Sequence, residues 1–262
     1  MQTIIMCGGL GTRLREETEF RPKPMVSIGE RPVLWHIMKI YAHFGHTEFI
    51  LPLGYKGKMI RNYFINYEFM HNDVTLESGN RNAYVQHNCH AETGWKITLA
   101  DTGQDTKKGQ RIKQVERHIT DDIFMLTYGD GVAAIDINAL IAFHKSHGKI
   151  ATVTGVYPGA RFGELQLDGE QVASFCEKPI NSKRGRVSGG YFVFNKAVFN
   201  YLDNGVDLEN GALEQLAREG QLMMYPHDGF WACMDTLRDM QYLNDLWDKG
   251  CAEWKVWNTC KA

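Results

Sequence analysis

No apolar run in this 262-residue chain approaches the roughly 18 residues that a helix needs to cross a bilayer, so a helical membrane span is excluded. An excess of either charge is also missing. Lys and Arg number 29 against 31 Asp and Glu, a formal balance of −2, which offers no broad electrostatic footprint for nucleic acid or an anionic membrane surface. The six cysteines, Cys7, Cys89, Cys176, Cys233, Cys251 and Cys260, form no C-x-x-C pair and are widely scattered, which predicts reduced thiols in a cytoplasmic protein. Met1–Cys7 has no basic leader before its glycines, which predicts the absence of a secretory signal. Internal repeats, low-complexity tracts and linkers are absent too. What is present is ordinary globular composition, 44% hydrophobic and 23% charged, in a chain long enough to bury a core without staples.

Strand-like apolar runs alternate with helix-like periodic stretches. Thr3–Cys7, Glu48–Leu53, Asp122–Thr127 and Ile150–Tyr157 read as strands. Val33–Phe44 reads as a helix, with Pro32 suited to its first turn, Leu34, Ile37, Met38 and Tyr41 on one face, and Gly45 as its stop. Asp136 can cap a second helix that carries Leu140, Ile141 and His144 and ends at Gly148. The alternation predicts an α/β fold: a Rossmann-like, mostly parallel sheet flanked by helices. Leu165–Phe175 adds a hairpin that turns at Asp168-Gly169, and helical segments follow near Gly211–Arg218 and Leu237–Trp247.

The strongest local signal is Gly8-Gly9-Leu10-Gly11-Thr12-Arg13-Leu14, directly after the first strand. Glycines let the backbone bend and present N–H groups to an anion, and open α/β sheets bind ligands beyond the carboxyl ends of their strands. Arg13 adds a two-pronged donor for phosphate oxygens. The loop is neither a dinucleotide fingerprint, since Leu14 stands where the third glycine belongs, nor a Walker loop, since Gly57-Lys58 and Gly148-Lys149 are followed by Met59 and Ile150. In Arg21-Pro22-Lys23-Pro24-Met25, two prolines fix the backbone around Lys23 and present a rigid positive charge.

These two motifs together resemble the signature of the sugar-phosphate nucleotidyltransferases, which join a nucleoside triphosphate to a sugar 1-phosphate and release pyrophosphate. Leu34-Trp35-His36-Ile37-Met38-Lys39, Gly54-Tyr55-Lys56-Gly57, Thr127-Tyr128-Gly129-Asp130-Gly131-Val132, Phe143-His144-Lys145-Ser146-His147-Gly148, Met234-Asp235-Thr236-Leu237-Arg238-Asp239 and Trp254-Lys255-Val256-Trp257 narrow the likeness to the glucose-1-phosphate cytidylyltransferase branch. The resemblance implies Mg²⁺-dependent reaction of CTP with α-D-glucose 1-phosphate to give CDP-glucose and pyrophosphate, feeding bacterial surface polysaccharides. It implies one nucleotidyltransferase domain over 1–262, with a nucleotide part to about 150, an acceptor part to about 240, then a C-terminal helix and tail. It also implies a homo-oligomer, hexameric in relatives, with no nucleic-acid or membrane partner.

Residue by residue, the resemblance places nucleotide contacts at Met6, Cys7, Gly8, Gly9, Leu10, Gly11, Thr12 and Arg13. It adds Lys23, Thr106, Arg111, Tyr128 and Gly129, with Arg13 and Lys23 catalytic. The acceptor would meet Glu177, Lys178, Ser188, Gly189 and Gly190. Such transfer needs positioning and charge stabilisation but no general base, because a sugar phosphate oxygen is already anionic. Asp130 and Asp235 are the Mg²⁺ candidates, since the ion commonly takes one or two carboxylates plus substrate phosphates. Read bare, Asp130 is equally a turn residue, Asp235-Thr236 a helix cap, Lys178 an exposed turn lysine, and Arg111 part of a solvated basic helix face.

Four positions depart from the family pattern: Cys7 where alanine is usual, Ser188 where asparagine faces the sugar, the stretch Val206–Ala212, and Ala232-Cys233 in place of Gln-Pro. The last three bear on the acceptor. A different phosphorylated acceptor, a different base (UTP or dTTP), or a non-catalytic sensor are the alternatives. His87-Asn88-Cys89-His90 lacks a second ligand pair for structural zinc, and the pairs His43/His46 and His144/His147 read as surface or helix-end residues. Trp247, Trp254 and Trp257 read as a C-terminal segment docked on the core.

Overall fold

A computed structural model describes residues 1–78, 84–87, 92–158, 164–168, 171–176 and 185–257, and side chains are described outside 164–168, 173–176 and 204. In chain order the elements that matter here are β1 (Gln2–Met6), α1 (Val33–His43), β2 (Glu48–Leu53), β3 (Lys96–Asp101), α2 (Lys108–Gln114), β4 (Ile123–Tyr128), β5 (Gly131–Ala133) and α3 (Ile137–His147). They continue with β6 (Ala151–Val156), β7 (Glu164–Asp168), β8 (Gln171–Cys176), β9 (Val187–Asn195), α4 (Glu214–Arg218), β10 (Leu222–His227), β11 (Trp231–Cys233) and α5 (Leu237–Asp248).

Apolar runs without alternation bury both faces of a strand, and β1, β2 and β4 accordingly lie in the interior of a seven-stranded sheet ordered β10-β6-β9-β4-β1-β2-β3. Every neighbouring pair is parallel except those made by β9, which runs antiparallel to both β4 and β6. This is the mostly parallel α/β sheet that the alternation predicts. The chain passes from β1 outward to β2 and β3, then returns to β4 on the other side of β1. That reversal opens a crevice beyond the carboxyl ends of β1 and β4, where ligands bind in such sheets. Because β9 is antiparallel, its first residues enter the sheet at the same edge.

Helix α1 buries Leu34, Ile37, Met38 and Tyr41 completely, and Gly45 follows it in the left-handed region at φ +84°. Asp136 caps α3 by accepting from the Ala139 amide at 2.9 Å, and Gly148 ends it at φ +66°. The pair His144/His147, read as surface or helix-end residues, lies in the last turn of α3, but His144 is buried there: its Nδ1 and the Nε2 of His147 share the Thr152 hydroxyl at 2.9 and 2.7 Å. The reason is strand β6, which runs beneath the last turn of α3. Trp254 is fully buried against His36 and Trp247, so the described C-terminal segment is core. The hairpin forms as β7 and β8. Near Gly211–Arg218 only Glu214–Arg218 is α-helical; Leu208–Leu213 is a wider turn, with the Asp207 carboxylate accepting the Glu209 and Asn210 amides.

Candidate active site

The glycine loop leaves the end of β1 and is tied to its neighbour strand. Cys7 bridges Leu53, and the Gly8 carbonyl accepts from the Tyr55 amide at 3.3 Å. Gly11 sits at φ +65°, a conformation L side chains rarely adopt, and a Cβ there would also lie 2.7 Å from Thr18 Cγ2. The Thr18 hydroxyl reaches back to the Gly11 and Leu14 carbonyls at 3.0 and 2.9 Å, which locks the short Thr12–Leu14 turn. Gly9, Leu10, Thr12 and Arg13 are thereby left exposed at the crevice.

Gly8 is glycine for a different reason: a Cβ would stand 2.5 Å from the Arg111 guanidinium carbon. The reading of Arg111 as part of a solvated helix face is corrected, because it is buried beneath the loop. Its guanidinium donates to Thr102 Oγ1 at 2.8 Å and to the carbonyls of Gly103 and Gln104 at 2.6 and 2.8 Å. Thr106 donates to the Thr102 carbonyl at 2.5 Å, closing the same loop. The two nucleotide-side candidates from this segment thus shape the wall that faces the glycines.

Gly129 must also lack a side chain. A Cβ would lie 2.5 Å from the Met6 carbonyl oxygen, backbone against backbone between β4 and β1. Gly129→Ala is expected to cost about 1–3 kcal/mol, since neither strand can yield without its pairing shifting. At about 2–4 °C per kcal/mol for a chain of this size, a melt should show a drop of several degrees. An unchanged melting temperature would show that the two strands separate freely here.

The centre of the crevice is a cationic–anionic knot. The Lys23 Nζ donates to Asp130 Oδ2 at 2.6 Å and to Asp235 Oδ1 at 2.5 Å, and Arg13 Nη1 meets Asp235 Oδ2 at 2.5 Å. Lys23 is only 8% exposed. Burial opposes its charge, but the Asp130 charge and the hydrogen bonds to Asp130 and Asp235 outweigh it and hold its pKa above the ordinary value. Burial likewise opposes the Asp235 carboxylate, and Lys23 and Arg13 outweigh that, leaving its pKa lowered.

Two local devices set this geometry. Pro22 is extended at ψ 147° and the turn Lys23–Met25 follows at once, so the lysine points back into the crevice. The helix cap is Thr236, whose hydroxyl accepts from the Asp239 amide while Asp239 accepts from the Thr236 amide. Asp235 is therefore not the cap and its carboxylate faces the crevice. Asp130 stands between β4 and β5, held by its carbonyl accepting from the Met234 amide at 2.9 Å.

Cys233, noted in the sequence only as a departure on the acceptor side, is a neighbour of the two carboxylates. It ends β11 opposite Gly131 of β5, and its sulfur lies within 4.8 Å of a carboxylate oxygen of both Asp130 and Asp235. The available signal was spacing: in extended chain, positions two apart share a face, and Cys233 precedes Asp235 by two.

On the β9 side, Gly190 sits at φ +77° and a Cβ there would strike the Tyr128 ring at 2.6 Å. Ser188 is exposed at this edge, its Oγ accepting from the Gly190 amide at 3.4 Å, and the Gly189 carbonyl accepts from Trp231 Nε1 at 2.8 Å. The Tyr128 hydroxyl donates to Glu209 at 2.6 Å, and Lys108 pairs with the same carboxylate while lying 4.9 Å from the Tyr128 ring centre. The departing stretch Val206–Ala212 therefore packs on α2 and reaches the crevice through Glu209. Glu177 and Lys178 lie outside the described residues.

The chain belongs to the nucleotidyl transferase family, whose pattern it matches over residues 2–241. It is 48% identical over 259 residues to the glucose-1-phosphate cytidylyltransferase of Salmonella typhi, covering 98% of this chain and 100% of that protein. The mannose-1-phosphate guanyltransferase of Neurospora crassa is 26% identical over 266 residues, 97% of this chain and 67% of that one. Among solved structures, HddC from Yersinia pseudotuberculosis shares the fold with a TM-score of 0.66 at 21% identity, over 94% of this chain and 99% of that chain.

Proposed function

We propose that this chain transfers the cytidylyl group of CTP to α-D-glucose 1-phosphate, giving CDP-glucose and pyrophosphate. The observation that carries the reading is the convergence of Arg13, Lys23, Asp130 and Asp235 in the crevice beside the glycine loop. The full-length 48% identity to the Salmonella typhi enzyme supports the choice of base and acceptor.

The acceptor's phosphate oxygen forms the new bond to the α-phosphorus as the bond to the bridging oxygen breaks and pyrophosphate leaves with its electron pair. No side chain has to remove a proton. The loop from Gly8 to Thr12 presents main-chain N–H groups to the triphosphate, Arg13 stands exposed at the mouth to meet the leaving phosphates, and Lys23 meets the charge that builds on the transferring group. Arg111 and Thr106 keep the nucleotide wall in place, with Met6, Cys7, Tyr128 and Gly129 at its base. Glu177, Lys178 and the segment Ser188–Gly190 receive the sugar phosphate.

A magnesium ion fits the residues present. Lys23 already seats a cation between two carboxylates, and both donors are the hard oxygens that Mg²⁺ prefers. Bound between Asp130 and Asp235, the ion would neutralise phosphate charge. The deciding experiment is pyrophosphate release with Mg²⁺, each of four nucleoside triphosphates and a panel of sugar phosphates. CTP with glucose 1-phosphate is expected to lead all other pairs by about tenfold or more in kcat/KM. No release from any pair overturns transfer, and another leading pair reassigns the substrates.

Ser188 bears on the acceptor. A sugar hydroxyl that lacks a partner costs about 1–3 kcal/mol, and an asparagine offers donors that a lone hydroxyl does not. Ser188→Asn is expected to raise kcat/KM for glucose 1-phosphate by about tenfold. A loss with glucose 1-phosphate, alongside a better rate on another sugar phosphate, would identify that sugar as the acceptor.

A further inference from the structure

We propose that Cys233 adds a soft donor to the Asp130–Asp235 cation site, so that thiophilic divalent ions such as cobalt(II), zinc and cadmium bind there in preference to magnesium and compete with it. The inference rests on the reading of those carboxylates as the cation site.

Placement carries the argument. One ligand atom each from Asp130, Cys233 and Asp235 lies within 4.8 Å of the others, close enough to converge on one ion with metal–ligand bonds of about 2.0–2.3 Å. The three come from two segments held in register: Asp130 precedes β5, Cys233 ends β11, and Cys233 pairs directly with Gly131, the residue after Asp130. A cation already occupies this place, since the Lys23 Nζ is 2.6 Å from Asp130 and 2.5 Å from Asp235. The site is thus a cation socket with sulfur on its wall.

Ion chemistry then decides which guest benefits. Magnesium takes oxygen and dehydrates reluctantly, so a thiol beside it adds nothing. Cobalt(II), zinc and cadmium accept sulfur as well as carboxylate, and a mixed sulfur–oxygen set favours them. On binding, the metal–sulfur bond forms as the S–H bond is lost, the proton leaves to solvent, and the Lys23 ammonium withdraws from the carboxylates.

The test is an optical titration of the full chain with cobalt(II), in a Cys251→Ser background because Cys251 is an exposed thiol. A sulfur-to-cobalt charge-transfer band in the near ultraviolet is expected. Cys233→Ser should remove the band and weaken cobalt(II) by about tenfold or more relative to magnesium, read by back-titration with Mg²⁺. Cys233→Ala should do the same, which guards against a serine that ligates through oxygen. A band and a cobalt-to-magnesium ratio unchanged in both variants would overturn the sulfur donor. Asp130→Asn and Asp235→Asn separate the two ideas. If they abolish binding of both ions while the Cys233 variants change neither, the carboxylate site stands and the cysteine inference fails. If the aspartate variants bind both ions as the parent does, the cation site itself fails and the inference falls with it.

Discussion

Asp130→Asn and Asp235→Asn should each lower kcat by about 10²–10³-fold at saturating Mg²⁺ and CTP, with the fold intact. Either change removes one formal negative charge from the socket that would hold the ion while keeping nearly the same shape. The fold survives because an asparagine carbonyl oxygen can still accept from Lys23, so the buried ammonium keeps a partner. The two variants should differ in stability. Asp235 is the more buried and answers both Lys23 and Arg13, whereas Asp130 answers Lys23 alone among the described charged side chains. Asp235→Asn should therefore lower the melting temperature more. Turnover and melting are measured on the same preparations. A folded variant of either kind with near-parental kcat would mean that the carboxylates serve only to hold Lys23.

The elements with strong local grammar were legible. Helix α1 has a proline at its entry, a one-sided apolar face and a glycine at its exit, and it runs from Val33 to His43, with Phe44, the last residue predicted, as its C-cap. Strand β2 spans Glu48–Leu53 without a residue of difference. Strand order and direction were not legible, because they depend on which runs meet and not on any run alone. Nothing inside Val187–Asn195 marks it as the antiparallel member of the sheet, yet that direction brings Ser188 and Gly190 to the edge where Tyr128 ends β4. Leu208–Leu213 departs from regular helix at Asn210, whose φ of −87° and ψ of 43° are not helical, although Asp207 caps the segment by accepting the Glu209 and Asn210 amides.

Within the crevice, the glycine loop and Lys23 announced themselves through backbone chemistry that few other uses require. Arg111 did not. Spaced among Lys108, Lys113 and Arg117 it looks like one basic residue of a wet helix, and its burial is caused by carbonyls of Gly103 and Gln104 that fold back over it. The burial of His144 at its helix end is hidden from the sequence for the same reason. Its partner Thr152 lies on β6, and the resulting burial lowers the histidine to about 4. In both cases the polar partner is backbone or hydroxyl, supplied by a neighbouring segment, and periodicity along one helix cannot display it.

Lys23→Met should separate the two jobs of the lysine. Without metal, the variant leaves the Asp130 and Asp235 carboxylates facing each other with no ammonium between them. Breaking a buried pair in this way costs several kcal/mol. Asp130 keeps some solvent contact, its side chain being 21% exposed, which brings the expected loss to about 2–4 kcal/mol. A melt in chelator should fall by roughly 4–16 °C on the scale for a chain of this length. Adding Mg²⁺ should raise the melting temperature of the variant more than that of the parent, because in the parent the ion must first displace the ammonium. Turnover should remain about 10²–10³-fold low even when Mg²⁺ has restored stability, since a metal between the carboxylates cannot supply the charge that Pro22 and Pro24 hold rigidly toward the transferring phosphoryl group. Paired measurements of kcat and melting temperature, each with and without Mg²⁺, decide the matter. If Mg²⁺ restores both, the lysine is a strut that holds the socket open, and the charge that stabilises the transferring group comes from the ion and Arg13. If Mg²⁺ stabilises parent and variant equally, the ion binds elsewhere and the socket between Asp130 and Asp235 belongs to Lys23.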